Sequence, residues 1–182
     1  MIRAVFLDRD GVLNSLVRRD GRGFAPRSTS ELFITHDARA AVQLLQDSGF
    51  ICIVVTNQPD ISRGHMTTKD LTSIHDVLSS ELGICQFYVC PHDASDKCSC
   101  RKPRPGLITS AAAELKIDLA SSWLIGDRVS DLQAGISAGC HVVFLAGGQD
   151  SHDEVLQAGL EAVPCLSSLT TVANFITTNQ YR

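Results

Sequence analysis

Ala4-Val5-Phe6-Leu7-Asp8-Arg9-Asp10-Gly11 is four apolar residues running into two carboxylates and a glycine. The apolar run is short and unbroken by polar residues. That is the pattern of a strand buried on both faces, as strands of parallel sheets are. The pattern recurs along the chain. Ile51–Val55 is β-branched, almost wholly apolar, and ends at Thr56-Asn57. Phe87–Val89 leads into Cys90, Ser122–Ile125 ends at Gly126-Asp127, and His141–Leu145 is a fifth run. Helical stripes separate them. Asp37–Ser48 carries apolar residues at Ala38, Ala41, Val42, Leu44 and Leu45 and is closed by Gly49. Thr67–Leu82 is closed by Gly83, Pro105–Lys116 starts on a proline, and Ser130–Ala138 has Asp131 in its first turn. The tail adds an edge strand near Ala162–Cys165 and a helix over Ser168–Thr177. Strands alternating with helices predict βαβ units, and so an α/β fold: a three-layer, Rossmann-like parallel sheet with helices on both faces. Ligands of such sheets bind beyond the carboxyl ends of the strands. That rule singles out Asp8, Thr56-Asn57, the Cys90 region and Asp127. Arg18–Ser30, rich in Arg, Gly, Pro and Ser, reads as a loop over that site.

Composition supports one domain spanning 1–182, with 44% hydrophobic residues and a mean hydropathy of +0.07. A chain of this length buries roughly 70% of its unfolded surface, enough for a core without staples. The net charge of −4 and pI near 5.8 argue against nucleic-acid binding but leave room for a local basic pocket. No apolar window reaches the ~18 residues of a membrane span, and the run before Asp8 is too short for a signal peptide. A cytoplasmic chain with no membrane partner is expected. Nothing in the pattern signals a dimer, so a monomer is expected.

The strand ends carry chemistry. Asp8 suits attack on phosphorus, because aspartate forms acyl-phosphates, and Asp10 suits delivery of a proton and then activation of water. The same tetrapeptide also fits an Asx-turn with solvated acids. Thr56, Asn57 and Gln58 offer three hydrogen-bonding side chains at one sheet edge, either to phosphoryl oxygens or within a turn. Arg101-Lys102-Pro103-Arg104 places three cations in four residues, an anion clamp or a solvated basic loop. Asp127 and Asp131 follow the next strand, where acidic oxygens suit Mg²⁺. Asp131 equally fits a helix N-terminal acid favoured by the macrodipole.

Seven cysteines are an odd count for a cytosolic chain. Cys90, Cys98 and Cys100 fall within eleven residues, with His92 between them. A Cys₃His set closes a tetrahedron around Zn²⁺ with no open position for water, the pattern of a structural site. Cys52, Cys85, Cys140 and Cys165 read as small hydrophobes. His36, His65, His75, His141 and His152 have no ligand-spaced partner and read as surface or capping residues.

Taken in order, these motifs resemble the haloacid dehalogenase superfamily of phosphohydrolases over about Ala4 to Leu145. That family carries a hydrophobic strand ending in DxDG, then a strand ending in Ser or Thr, then a Lys, then an acidic pair after a strand. Val5–Gly11, Thr56, Lys102, and Asp127 with Asp131 match them. "FLDRDGVLN", "VVTNQPDISRG", "CPH…CSCRKPRPG" and "LIGDRVSDLQAG" are similar to the heptose-bisphosphate phosphatases and the related histidinol phosphatases. The resemblance implies a capless fold with a small zinc-binding loop at about 90–100. It also implies a Mg²⁺-dependent phosphatase working through an aspartyl-phosphate. Catalytic roles fall on Asp8, Asp10, Thr56 and Lys102. Mg²⁺ falls to Asp8, the Asp10 carbonyl and Asp127, and Zn²⁺ to Cys90, His92, Cys98 and Cys100. Asn57, Gln58, Arg101 and Arg128 would meet the rest of a small phosphorylated metabolite. Heptose 1,7-bisphosphate, used in lipopolysaccharide or surface-glycan supply, is the expected substrate, with histidinol phosphate the alternative. A zinc-loop binding module without catalysis is the alternative of another class.

Overall fold

The computed structural model describes residues 2–179. Six parallel strands form one sheet: β1 (Arg3–Leu7), β4 (Phe50–Asn57), β5 (Gln86–Cys90), β6 (Trp123–Gly126), β7 (His141–Leu145) and β8 (Cys165–Leu166). Their spatial order is β5-β4-β1-β6-β7-β8. β1 pairs with β4 on one side, Val5 facing Cys52, and with β6 on the other, Val5 facing Trp123. The chain builds outward from β1 through β4 and β5, then crosses to β6, β7 and β8. The two directions part at β1, where α/β sheets open a ligand crevice.

Alternation along β1 sends its side chains into two cores. Val5 and Leu7 pack under α1 (Ala38–Asp47), α2 (Thr68–Leu82) and α6 (Leu169–Asn179). Ala4 and Phe6 pack under α3 (Gly106–Leu115), α4 (Val129–Ala138) and α5 (His152–Gln157). The three-layer arrangement is therefore as the alternating pattern predicts, and no helix is long and apolar enough to cross a membrane among the described residues.

Three details differ from the sequence reading. Residues 18–30 are not all loop: β2 (Val17–Arg19) and β3 (Arg22–Phe24) form an antiparallel hairpin, Val17 facing Phe24. The edge strand falls at Cys165–Leu166 rather than Ala162–Cys165. Pro164 has no N–H for a ladder, although its carbonyl accepts from Phe144 N at 2.9 Å. Finally, α5 was not expected. Ser151 and Glu154 start it as a capping box, Ser151 Oγ accepting from Glu154 N and Glu154 from Ser151 N.

Candidate active site

β1 delivers Asp8 to the centre of the sheet edge, where its N–H donates to Ile125 O at 3.0 Å. From the loop before α3, Lys102 reaches the same point. Its Nζ lies 2.7 Å from Asp8 Oδ1, 2.7 Å from Asp131 Oδ1 and 2.8 Å from Val55 O. Two of the ammonium's three donors are met by hydrogen bonds, to Asp8 Oδ1 and Val55 O, and Asp131 Oδ1 adds an ion pair. Burial works to lower the Lys102 pKa, but Asp131 and Asp8 outweigh it and hold the pKa above its ordinary value. The lysine is charged and pinned.

Asp127 ends the β6 turn beside them, fully buried. Its Oδ2 accepts from Gln149 N at 2.7 Å, whereas its Oδ1 has no hydrogen-bond partner. Oxygens of Asp8, Asp127 and Asp131 all lie within 4.8 Å of one another. Burial, with the charges of Asp131 and Asp10, pushes Asp8 up to about 6, and burial, with the charges of Asp8 and Asp131, pushes Asp127 up to about 8, Lys102 opposing both. Two glycines make room for this acid. A Cβ on Gly11, which has φ +98°, would lie 2.0 Å from Asp127 Oδ2, and one on Gly148 2.1 Å from it. Three clustered carboxylates, two of them (Asp127 and Asp131) with a buried Oδ1 that accepts no hydrogen bond, and one lysine among them are the donor set of a hard divalent ion. The residues present therefore fit Mg²⁺. Asp131, which the sequence left open between capping and metal, caps α4, its Oδ2 accepting from Arg128 N at 3.1 Å, and its carboxylate also stands within the group that could hold the ion.

Asp10 points elsewhere. Its Oδ1 accepts from Arg9 Nε (3.0 Å), Arg9 Nη2 (2.9 Å) and Asn14 Nδ2 (3.0 Å), and its Oδ2 from Gln58 Nε2 (2.7 Å) and Arg9 Nη2 (3.1 Å). Gln58 also donates to Thr56 Oγ1 at 2.8 Å. Gln58, expected to face the substrate, is buried between two residues of the expected catalytic set. Asn57 likewise grips the chain. Its Oδ1 accepts from Lys102 N at 3.1 Å and its Nδ2 donates to Lys102 O at 3.2 Å, so the side chain fixes the loop that carries the lysine.

These groups floor a pocket of about 270 Å³. Asp8, Asp10, Thr56, Asn57, Gln58, Arg101, Lys102 and Arg128 all line it. The hairpin supplies a wall through Phe24 and Ala25, and Gln149 Nε2 holds it by donating to Gly23 O at 3.3 Å. Arg63, which the sequence reading passed over, adds a third rim arginine to Arg101 and Arg128. It is held by Asp93 at 2.6 and 2.8 Å.

The cysteine cluster stands beside the pocket at the end of β5. Cys90 Sγ is 3.6 Å from both His92 Nδ1 and Cys98 Sγ, and Cys100 Sγ is 3.3 Å from His92 Nδ1 and 3.5 Å from Cys98 Sγ. A Zn–S bond of about 2.3 Å gives tetrahedral edges of about 3.8 Å, whereas a disulfide needs about 2.05 Å. The four ligands fit zinc and do not fit a disulfide. Arg101 Nη1 donates to His92 O at 3.1 Å and Arg104 Nη1 to Cys98 O at 2.6 Å, tying the cluster to the basic run.

His75 is the residue the sequence reading misjudged. It is half-buried, stacked on Phe87 with ring centroids 4.4 Å apart and planes 16° apart, and its Nε2 lies 3.3 Å from Arg9 Nη1. Burial and then Arg9 hold its pKa down at about 4, with Asp10 opposing. Ligand spacing gave no sign of this; the signal was Arg9, a cation between two site carboxylates that had been assigned no partner.

Comparison with known proteins agrees with this geometry. Two D-glycero-beta-D-manno-heptose-1,7-bisphosphate 7-phosphatases are each 33% identical to the chain. The Haemophilus ducreyi protein matches 89% of this chain and 97% of its own length, and the Bordetella bronchiseptica protein 94% and 96%. The crystal structure of D,D-heptose 1,7-bisphosphate phosphatase from B. bronchiseptica, complexed with magnesium and phosphate, superposes with a TM-score of 0.86. It has 30% identity and covers 97% of this chain and 99% of that one. The family model described as haloacid dehalogenase-like hydrolase matches residues 3–135, from the first residue of β1 to the middle of α4. That span holds Asp8, Asp10, Thr56, Lys102, Asp127 and Asp131 together, and by it the chain belongs to the haloacid dehalogenase-like hydrolases.

Proposed function

We propose that this chain is a Mg²⁺-dependent phosphomonoester hydrolase that removes the 7-phosphate of D-glycero-D-manno-heptose 1,7-bisphosphate. The observation that carries the reading is the pinned Lys102 between Asp8 and Asp131, beside the orphaned Asp127 oxygen, at the floor of a pocket with an arginine rim. Asp8 attacks phosphorus in line; a P–O bond to Asp8 forms as the P–O bond to the sugar breaks. The departing alkoxide is a poor leaving group and takes a proton from Asp10. Water then attacks phosphorus, gives its proton to Asp10, and frees Asp8 and inorganic phosphate. Lys102 and Thr56 hold the phosphoryl oxygens, and much of the acceleration is positioning and electrostatics. Asp8, Asp127, Asp131 and the Asp10 carbonyl would hold Mg²⁺, which would supply positive charge beside the transferring phosphoryl group. Arg101, Arg128 and Arg63 face the rest of the substrate.

On this reading residues 1–182 act as one capless domain, a cytoplasmic monomer without a nucleic-acid partner, in the supply of heptose for surface glycans. The test is phosphate release with Mg²⁺ from heptose 1,7-bisphosphate, heptose 7-phosphate and histidinol phosphate, followed by ³¹P NMR. The expected result is loss of the C7 resonance with C1 retained. Faster turnover of histidinol phosphate overturns the substrate, and no turnover of any of the three overturns the activity.

We also infer that Cys90, His92, Cys98 and Cys100 hold Zn²⁺ as a structural ion that orders the loop carrying Arg101 and Lys102. Zinc removal at saturating Mg²⁺ is expected to lower kcat/KM at least several-fold. Unchanged kcat and KM in protein verified zinc-free by metal analysis would sink the idea.

A further inference from the structure

Arg9 is the largest fully buried side chain among the described residues, and no step above uses it. Its Nε and Nη2 both donate to the Asp10 carboxylate. That leaves Nη1, which faces His75 Nε2 at 3.3 Å. A guanidinium has donors only, so His75 must present Nε2 as the acceptor, neutral, with its proton on Nδ1. The ring has little freedom to turn away. It is stacked on Phe87 of β5, and its helix α2 is anchored by Leu71, Ile74 and Leu78 in the core. From Phe87 to His75 to Arg9 to Asp10, each group is held by the one before it.

We propose that His75 is a positioning residue: by accepting from Arg9 Nη1 it keeps the guanidinium flat against Asp10 and so fixes the carboxylate that delivers the proton to the leaving alkoxide. Without that acceptor a buried charged donor relaxes toward another partner, and the two-point grip on Asp10 goes with it. Asn14 and Gln58 still touch the carboxylate, but each as a single neutral donor. The substrate's own contacts are untouched, because His75 does not line the pocket. The loss therefore falls on chemistry and not on binding.

This rests on the reading of Asp10 as general acid, and the experiment separates the two. kcat and KM are measured for wild type, His75→Phe, His75→Gln and Asp10→Asn on the sugar bisphosphate and on p-nitrophenyl phosphate. The nitrophenolate leaves without a proton, whereas the sugar alkoxide needs one, and kcat/KM reports only steps up to formation of the aspartyl-phosphate. His75→Phe keeps the stacking but removes the acceptor. It is expected to lose about 10-fold or more in kcat/KM on the sugar, through kcat, with less than about 3-fold on the aryl ester. His75→Gln, whose Oε1 restores an acceptor, is expected to recover most of the loss. The ratio of the two substrates on one preparation does not depend on the folded fraction. Equal losses on both substrates, or no recovery in His75→Gln, overturns the proposal while a sugar-selective Asp10→Asn leaves the acid role standing. Equal losses in Asp10→Asn remove the acid role and the proposal with it.

Discussion

Asp8→Asn is expected to lower kcat by about 10⁴-fold or more while leaving the fold intact. The amide keeps the shape of the carboxylate but is not a nucleophile toward phosphorus. The structural side of the expectation follows from the neighbours. Asp8 is buried beside Asp131 and Asp127, and burial, with the charges of Asp131 and Asp10, pushes it up to about 6 against the pull of Lys102, so losing its charge relieves crowding. Against this, Lys102 loses one partner but keeps Asp131 Oδ1 and Val55 O. The two effects oppose, and the melting temperature should stay within a few degrees of wild type in metal-free buffer. The rise in melting temperature on adding Mg²⁺ should shrink, because one of three charged ligands is gone. Phosphate release and thermal melts by circular dichroism check both halves. Activity near wild type in a well-folded Asp8→Asn refutes the nucleophile.

Lys102→Met should cost both activity, by about 10³-fold, and stability. Removing the only cation from a buried group of carboxylates leaves uncompensated charge, at a cost of about 3–5 kcal/mol near neutral pH. The sign of the pH dependence follows from the same cluster. Asp8 and Asp127 sit above the ordinary carboxylate value, and Lys102 is the group that lowers both. Its loss raises both further. A carboxylate whose folded pKa exceeds its unfolded one favours the fold at low pH and loses that contribution as pH rises through the folded value. Metal-free Lys102→Met should therefore lose melting temperature steadily from about pH 5 to pH 9, more steeply than wild type, and Mg²⁺ should narrow the gap. A deficit that is the same at pH 5 and pH 9 would instead assign the lysine to packing.

Which parts of the molecule were legible in the sequence follows from how much of each signal is local. The strands of the central sheet are short unbroken apolar runs because both faces are covered, and β1, β4, β6 and β7 were readable for that reason. The hairpin was not. Its two strands have three residues each, mostly Arg and Gly, half-buried or exposed, too short for a period of two to emerge. The capping box of α5 is present as Ser151-x-x-Glu154, but a helix of six residues is too short for an apolar stripe to emerge. At the site, residue types at strand ends identified Asp8, Asp10, Lys102 and Asp127. What they cannot carry is who faces whom. Gln58 and Asn57 line the pocket as their type and location suggest, but local pattern does not show that Gln58 also donates to Asp10 or that Asn57 also holds the Lys102 backbone. His75 meets Arg9 across 66 positions of chain, a pairing no local pattern encodes.

The placement of β1 at the middle of the sheet also sets when this protein can begin to work as it is made. Once made, β1 waits for β4 to cover one side of it and for β6, more than a hundred residues later, to cover the other. Asp8 meets Lys102 across 94 positions, and the acids that complete the cluster arrive later still. A nascent chain that has emerged only through α3 carries β1 with an open edge and two paired residues, Asp8 and Lys102, still lacking Asp127 and Asp131. Such long-range closure is slow and leaves sticky intermediates. The carboxylate cluster is thus among the last things the ribosome's product assembles, and a truncated product holds an exposed strand edge beside the Asp8 that the finished chain surrounds.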